Sequence, residues 1–289
     1  MSRYLIELSD HELQCDGFAG RDIRLICFDI DGTLLGADGF PAASVQQEIR
    51  RIQQRGIKTC IASGRPWFSS RWLAEELQLF APGVFNTGAA IVDPQTETIL
   101  HSEPLHADEV LALLDAAKTL QVYAEIYTPD YYVTEQPHPL QIIHQQYMRQ
   151  PACFARFADI VQQQPVHKIL LCADELNDGE RIYQLAEQFP HLHFGYGHGA
   201  AHPHLLFASI VSERACKQKA FEWLLSYHNI QAENVMSFGD GGSDMIFLKN
   251  AGIGVAMGNA KAEVKAVADL VTLDVEAQGI AYALQRLLP

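Results

Sequence analysis

No two cysteines of this chain stand at the Cys-x-x-Cys spacing, and no apolar run reaches the length of a membrane span. The first absence removes the common zinc and thiol-redox signatures. The second removes a spanning helix, and with it a membrane partner. Runs rich in Lys and Arg are also missing. With 21 Lys and Arg against 35 Asp and Glu, the formal net charge is −14. That balance argues against a nucleic-acid partner, which would call for basic patches. No internal repeat or low-complexity tract occurs. Residues 1–20 lack a basic segment followed by a continuous apolar stretch, so they do not read as a signal peptide. The cysteines present are Cys15, Cys27, Cys60, Cys153, Cys172 and Cys216; Cys27, Cys60 and Cys172 fall in predicted buried strands. They read as reduced core residues, consistent with a cytoplasmic protein.

What is there is a globular composition, 48% hydrophobic and 19% charged, over 289 residues. That length suits one large domain or two smaller ones. The apolar run Ile23–Phe28 ends in Asp29-Ile30-Asp31-Gly32-Thr33. A strand that stops at Asp29, with Gly32 allowing a sharp turn, can present one carboxylate as nucleophile and the other as proton carrier. A carboxylate is ionised at neutral pH and can form an aspartyl-phosphate. Two close carboxylates repel, so the site calls for a cation, and a hard ion such as Mg²⁺ suits oxygen ligands with phosphate as co-ligand. The plainer alternative is an acidic turn that caps the next helix.

Two further strand ends weigh against that alternative. Ile57–Ala62 stops at Ser63-Gly64-Arg65-Pro66, and Val235–Phe238 stops at Gly239-Asp240-Gly241-Gly242-Ser243-Asp244. Both read as short buried strands followed by helical patterns. Parallel α/β sheets carry their chemistry at the carboxyl ends of strands, near the topological switch point. Asp29, Asp31, Ser63, Asp240 and Asp244 can converge there, Ser63 donating to a phosphoryl oxygen and the second acidic pair completing a metal site. A helix opening near Ser212 holds two lysines. Lys217 shares a stripe with Ala220, Phe221 and Leu224. Lys219, about 200° around the helix, lies nearer Glu222 and Ser226. Lys217 is therefore the inward candidate, with a snorkelling side chain as the alternative.

These segments resemble the haloacid dehalogenase-like phosphatases, in the Cof-type branch with a large α/β cap. Asp29-Ile30-Asp31-Gly32-Thr33-Leu34 matches the first motif and Ala62-Ser63-Gly64-Arg65-Pro66 the second. Lys217 matches the third, and Gly239-Asp240-Gly241-Gly242-Ser243-Asp244 the fourth. Gly252–Ala260 and Gln278-Gly279-Ile280-Ala281 are similar to this branch as well, so the likeness covers roughly residues 22–289. Three departures stand out: Ser243 where the family has Asn, Gln218 where it commonly has Gly, and Thr87 at a usual Asn position.

The resemblance implies a Mg²⁺-dependent phosphatase acting on a small phosphorylated metabolite, such as a sugar phosphate. In it Asp29 attacks phosphorus, and Asp31 protonates the leaving oxygen and then acts as base toward water. The metal lies on Asp29, the Asp31 carbonyl, Asp240 and Asp244. Ser63 and Lys217 stabilise the phosphoryl oxygens, while Ser63, Gly64, Arg65 and Asn259 bind substrate. Two rivals remain open: a phosphomutase using the same covalent intermediate, and a non-catalytic phosphate-binding protein.

The expected fold is α/β, a doubly wound, Rossmann-like parallel-sheet core with an inserted α+β cap. Residues 1–21 form an N-terminal extension, with Tyr4–Leu8 a possible strand or docking arm. Residues 22–87 and 205–289 form the core, which resumes with a strand at Leu205–Ile210, and 88–204 form the cap. Within the cap, the aromatic-rich Tyr123–Tyr132 reads as a platform for substrate or as cap-core packing. A short strand is expected at Leu192–Tyr196; the overlapping Gly195–Gly199 with His191, His193, His198, His202 and His204 reads as a loop-like stretch with solvated histidines, its spacing fitting no standard zinc motif. Gly252, Gly254 and Gly258 are one residue too long for a dinucleotide fingerprint.

Overall fold

The computed structural model describes residues 6–7, 18, 20–199 and 202–289. The chain begins with β1 (Ile6–Glu7), β2 (Leu25–Phe28), α1 (Ala43–Gln54), β3 (Lys58–Ile61), α2 (Trp67–Leu77) and β4 (Gly83–Phe85). A hairpin of β5 (Ala90–Asp93) and β6 (Thr98–Ser102) follows. The middle of the chain contains α3 (Ala107–Thr119), β7 (Tyr123–Tyr127), β8 (Tyr132–Thr134), α4 (Pro139–Met148), β9 (Cys153–Phe154) and α5 (Phe157–Gln163). It closes with β10 (Lys168–Asp174), α6 (Glu175–Gln188), β11 (Leu192–Gly199) and β12 (His202–Ser212). The last stretch alternates α7 (Lys217–His228), β13 (Val235–Gly239), α8 (Met245–Asn250), β14 (Ile253–Ala256), α9 (Ala262–Lys265), β15 (Leu270–Val271) and α10 (Gly279–Leu287).

Six strands form the first sheet in the order β1-β15-β14-β13-β2-β3, and all its pairs are parallel. A parallel strand covered on both faces must be apolar along its length, and Leu25–Phe28 is fully buried. The order reverses around β2 and β13, which places the ends of these two strands side by side at the switch point. Within the expected N-terminal arm, Ile6 and Glu7 pair with Leu270 and Val271 at the sheet edge; Tyr4, Leu5 and Leu8 lie outside the described residues.

The second sheet runs β11-β12-β10-β7-β8-β9, antiparallel except for β8 with β9. On one face, Ile126, Val133, Ile169 and Leu171 pack with Val110 and Leu113 of α3 and Ile182 and Leu185 of α6. The opposite face, bearing Tyr127, Tyr132 and Leu170, packs with Phe68 of α2. The Phe68 ring stacks 6.4 Å from both tyrosine rings. The aromatic segment thus packs cap against core.

Three strand expectations are corrected. Leu205–Ile210, read as the resumed core, lies in β12 and pairs with β10 from Leu205↔Asp174 to Ile210↔Ile169. The strand expected at Leu192–Tyr196 is present, but as β11 it runs on to Gly199 through the stretch read as loop-like, zipped to β12 from Leu192↔Ser212 onward. As an edge strand it tolerates glycine: a Cβ on Gly195 or Gly197 would meet nothing closer than 3.8 Å. Because β12 stays paired as far as Ser212, the helix expected near Ser212 opens only at Lys217. The hairpin β5-β6 joins β4, not the second sheet, and Ala90 and Val92 belong to the core beneath the first sheet.

Candidate active site

Asp29 follows β2 directly, and its N–H continues the ladder by donating to the Phe238 carbonyl at 3.1 Å. The chain then turns. Gly32 sits at φ +77°, and a Cβ there would collide with the Asp240 carboxylate, so glycine is required both by conformation and by space. Thr33 Oγ1 donates to Asp240 Oδ1 at 3.2 Å, and Asn259 Nδ2 donates to Asp240 Oδ2 at 3.2 Å and to the Gly32 carbonyl at 2.9 Å. The loop after β13 folds back so that Asp244 Oδ2 accepts from the N–H groups of Asp240 at 3.2 Å and Gly241 at 2.9 Å.

Lys217, first residue of α7, is 2% exposed on the stripe of Ala220, Phe221 and Leu224, while Lys219 is exposed. The lysine face read from helical spacing is therefore correct. Lys217 Nζ donates to Asp244 Oδ1 at 2.7 Å, to the Ala62 carbonyl at 3.2 Å and to Ser243 Oγ at 3.3 Å. Ser243 Oγ in turn donates to Asp244 Oδ1 at 3.3 Å. Ser243 thus joins the lysine to the acid. Gly88 brings this helix start close: at φ +106°, its Cβ would lie 2.8 Å from the Cys216 carbonyl carbon and 3.0 Å from Lys217 N. Thr87 before it also has positive φ, 60°. Asn takes that conformation more readily than a β-branched residue, so Thr87 stores strain of about 1 kcal/mol.

Ser63 is buried, and its Oγ accepts from the Arg65 N–H at 3.3 Å. Arg65 grips Asp31 with two bonds, Nε to Oδ2 at 2.7 Å and Nη2 to Oδ1 at 2.5 Å. Its Nη1 donates to the Tyr147 carbonyl, from the end of α4, at 2.9 Å. Gly64 offers its carbonyl to Lys168 Nζ at 3.0 Å.

Asp29, Asp240 and Asp244 each bring a carboxylate oxygen within 4.8 Å of the others, the only such His/Cys/Asp/Glu group among the described residues. The Asp31 side chain stands apart from them, with Arg65. Burial, then Asp244, pushes the Asp29 carboxyl well above the usual range, against the pull of Lys217. Asp240 is raised to about 7 for the same two reasons in the same order. Burial pulls the Lys217 ammonium down, but Asp244 and Asp29 more than offset it and the net direction is up. One ammonium thus faces three carboxylates. All-oxygen donors short of positive charge are what a hard divalent ion requires.

The expected residues thus fall in two groups: the acids with Lys217 and Ser243, and Asp31 with Arg65 at the Ser63 turn. Asn259 spends its two Nδ2 bonds on Asp240 and Gly32, and its Oδ1 accepts from Val275 N at 2.9 Å. Sequence reading missed Thr33, Lys168 and Tyr147. The one available signal was a charged residue opening the apolar run of β10. The histidines flagged as solvated make local contacts, such as His198 with Glu175 at 2.9 Å.

The model of the haloacid dehalogenase-like hydrolase family matches residues 26–284. The chain belongs to that family. It is a phosphatase of the Cof type, with a parallel α/β core and an added capping sheet. Among its relatives, phosphatase YwpJ of Bacillus subtilis is 26% identical over 286 residues, covering 92% of this chain and 100% of the relative. Pyridoxal phosphate phosphatase YbhA of Escherichia coli is 27% identical over 267 residues, covering 89% and 96%. A solved haloacid dehalogenase subclass IIB sugar phosphatase superposes with a TM-score of 0.78 at 25% identity, covering 91% and 98%. Among the described residues, no helix is long and apolar enough to cross a membrane.

Proposed function

We propose that this phosphatase hydrolyses a small phosphorylated metabolite, a sugar phosphate or similar compound, through an aspartyl-phosphate on Asp29. The observation that carries the reading is the convergence of Asp29, Asp240 and Asp244 on one point beside Lys217. An Asp29 oxygen attacks phosphorus in line, and the leaving oxygen departs with the bonding pair and takes a proton from Asp31. Asp31 then accepts a proton from water as that oxygen attacks phosphorus and frees Asp29. Lys217 and Ser63 face the equatorial oxygens, where preorganised donors count most. Arg65, bidentate on Asp31, sets the position of the acid–base group. Asn259 serves by fixing Asp240 and the Gly32 turn, and Gly64 by offering its carbonyl to Lys168.

Mg²⁺ fits the acid group, with Asp29, Asp240, Asp244 and the Asp31 carbonyl as the residues that would hold it. When bound it supplies the positive charge that three buried carboxylates and a phosphate lack. The relatives' names, a pyridoxal phosphate phosphatase and a sugar phosphatase, support a small-metabolite substrate. Free thiols on Cys27 and Cys60, their sulfurs 3.5 Å apart, accord with a reducing, cytoplasmic setting. Sheet membership supports a core of residues 22–102 and 213–289 and a cap of 103–212, in place of boundaries at 87/88 and 204/205. Residues 1–21 remain the N-terminal extension in this division.

The test is Asp29→Asn, which keeps the shape and removes the nucleophile. Its kcat should fall by roughly 10³-fold or more, with a Tm equal to or above that of the wild type, because one buried charge is gone. A retained rate refutes the covalent mechanism. Release of one inorganic phosphate per substrate consumed separates hydrolysis from mutase chemistry, which would return an isomeric phosphate.

A further inference from the structure

The face of the second sheet turned toward the core carries polar chemistry that phosphoryl transfer does not use. Lys168, first residue of β10, is 4% exposed. Its Nζ lies 4.2 Å from the centre of the Tyr127 ring. Among the described residues, the Gly64 carbonyl is its only hydrogen-bond acceptor, although an ammonium has three donors. Tyr147 gives its carbonyl to Arg65, while its own hydroxyl is buried without a hydrogen-bond partner. Lys168 Nζ and the Tyr147 carbonyl stand at the Gly64–Arg65 turn, and the Tyr147 hydroxyl lies close enough to Arg65 to raise its pKa, beside the guanidinium that grips Asp31 and hence beside the acid that meets the leaving oxygen. Enclosed donors without acceptors are costly; a bound molecule bearing oxygens relieves that cost.

Glu125 sustains the charge on Lys168. It is fully buried and accepts from the hydroxyls of Tyr123 and Tyr127, both at 2.7 Å, and it meets His144 Nδ1 at 2.8 Å. Burial lowers the Lys168 ammonium to about 8, and Glu125 is the strongest opposing influence, with Arg65 lowering and Asp31 raising it further. Apolar packing would stabilise a sheet face at least as well as a buried ion cluster. Its presence on the face that meets the Gly64–Arg65 turn therefore calls for a use.

We propose that Lys168 and Tyr147 are specificity residues that donate to hydroxyl oxygens of the leaving group, so that the enzyme favours polyol phosphates over phosphates of apolar or aryl alcohols. This rests on the phosphatase reading above and adds to it the residues that read the leaving group.

The experiment compares wild type, Lys168→Met, Tyr147→Phe and the exposed control Lys219→Met. Each is assayed with the best substrate from a panel of hexose and pentose phosphates and with phenyl phosphate, by release of inorganic phosphate, after its Tm has been recorded. The ratio of kcat/KM for the sugar phosphate to that for phenyl phosphate should fall roughly 10- to 100-fold in Lys168→Met and in Tyr147→Phe. It should match wild type in Lys219→Met. Tyr147→Phe removes a single oxygen, so it decides the matter if Lys168→Met does not fold. A merely structural role, with the cap loosened from Gly64, would lower both rates together. An unchanged ratio in folded Tyr147→Phe, or a wild type that prefers phenyl phosphate, overturns the proposal while leaving the phosphatase reading intact. A wild type that releases phosphate from none of these compounds overturns both.

Discussion

Asp29 beside the first sheet and Glu125 within the second are both buried acids, 8% and 0% exposed, yet their surroundings drive them in opposite directions. Burial is the largest influence on each. For Asp29 the next is Asp244, and the carboxyl ends well above its usual range with only Lys217 in opposition. For Glu125, His144 and the hydroxyls of Tyr123 and Tyr127 outweigh burial, and the carboxyl ends below its usual value. The cap carboxylate is complete within the protein: donors surround it. The core acids are incomplete, three carboxylates to one ammonium, and their remaining partner must come from outside. A self-satisfied cluster fixes structure and holds Lys168 in place; a charge-deficient one has the character that the proposed Mg²⁺ site requires.

The largest effect expected from breaking this contrast is at Lys217, the single cation of the core group. Lys217→Ala should lower kcat by roughly 10²–10³, the scale for losing one preorganised donor to a charged transition state. Lys219→Ala, on the solvent side of α7, should leave kcat near wild type. Steady-state kinetics of the two variants make the comparison, and equal losses would mean that burial at Lys217 is structural.

On the cap side the sensitive quantity is stability. Glu125→Gln removes the buried charge that opposes burial at Lys168 and the acceptor of the Tyr123 and Tyr127 hydroxyls, and it should cost about 3–5 kcal/mol, the range for breaking one partner of a buried pair. Urea unfolding monitored by tryptophan fluorescence measures it. A cost under about 1 kcal/mol would show that the cluster behaves like an exposed one.

A smaller effect, and the sharpest for the contrast, is the pH slope of stability. In the metal-free protein Asp240 titrates at about 7, against an ordinary value of 3.8. A raised acid contributes stability below its unfolded value and loses it as pH rises through the folded one. With EDTA present, Tm should therefore decline between about pH 4 and pH 7 as this contribution is lost. Glu125, lowered from 4.5, contributes above that value and loses its share as pH falls below it. Added MgCl₂ should raise Tm at neutral pH and flatten the decline. A decline of equal steepness with and without the ion would remove Mg²⁺ from the acid group.

Much of the site could be read from the sequence because local rules govern it. Buried parallel strands are uniformly apolar, so β2, β3 and β13 announce their ends, and Asp29, Ser63 and Asp240 follow from where those runs stop. Helical spacing alone separated Lys217 from Lys219, since 3.6 residues per turn fixes the face once one apolar neighbour is known. The sheet that would claim Leu205–Ile210 was not legible. An apolar strand pairs equally well in either sheet, and the choice is made by contacts with β10 and β11, which no local pattern encodes. Ser243, a departure in a motif, acquired a role only when Lys217 and Asp244 were seen on either side of it. Lys168 and Tyr147 belong to no motif, and Glu125 lies in the aromatic-rich Tyr123–Tyr132 segment without one of its own; their significance depends on a cap face meeting the Gly64–Arg65 turn, across more than a hundred residues in one case. The sequence by itself determined which residues end the strands and which face each helix buries, because dihedral geometry repeats over a few residues. Only the tertiary structure decided which charges meet, because desolvation and Coulomb attraction depend on distance in space.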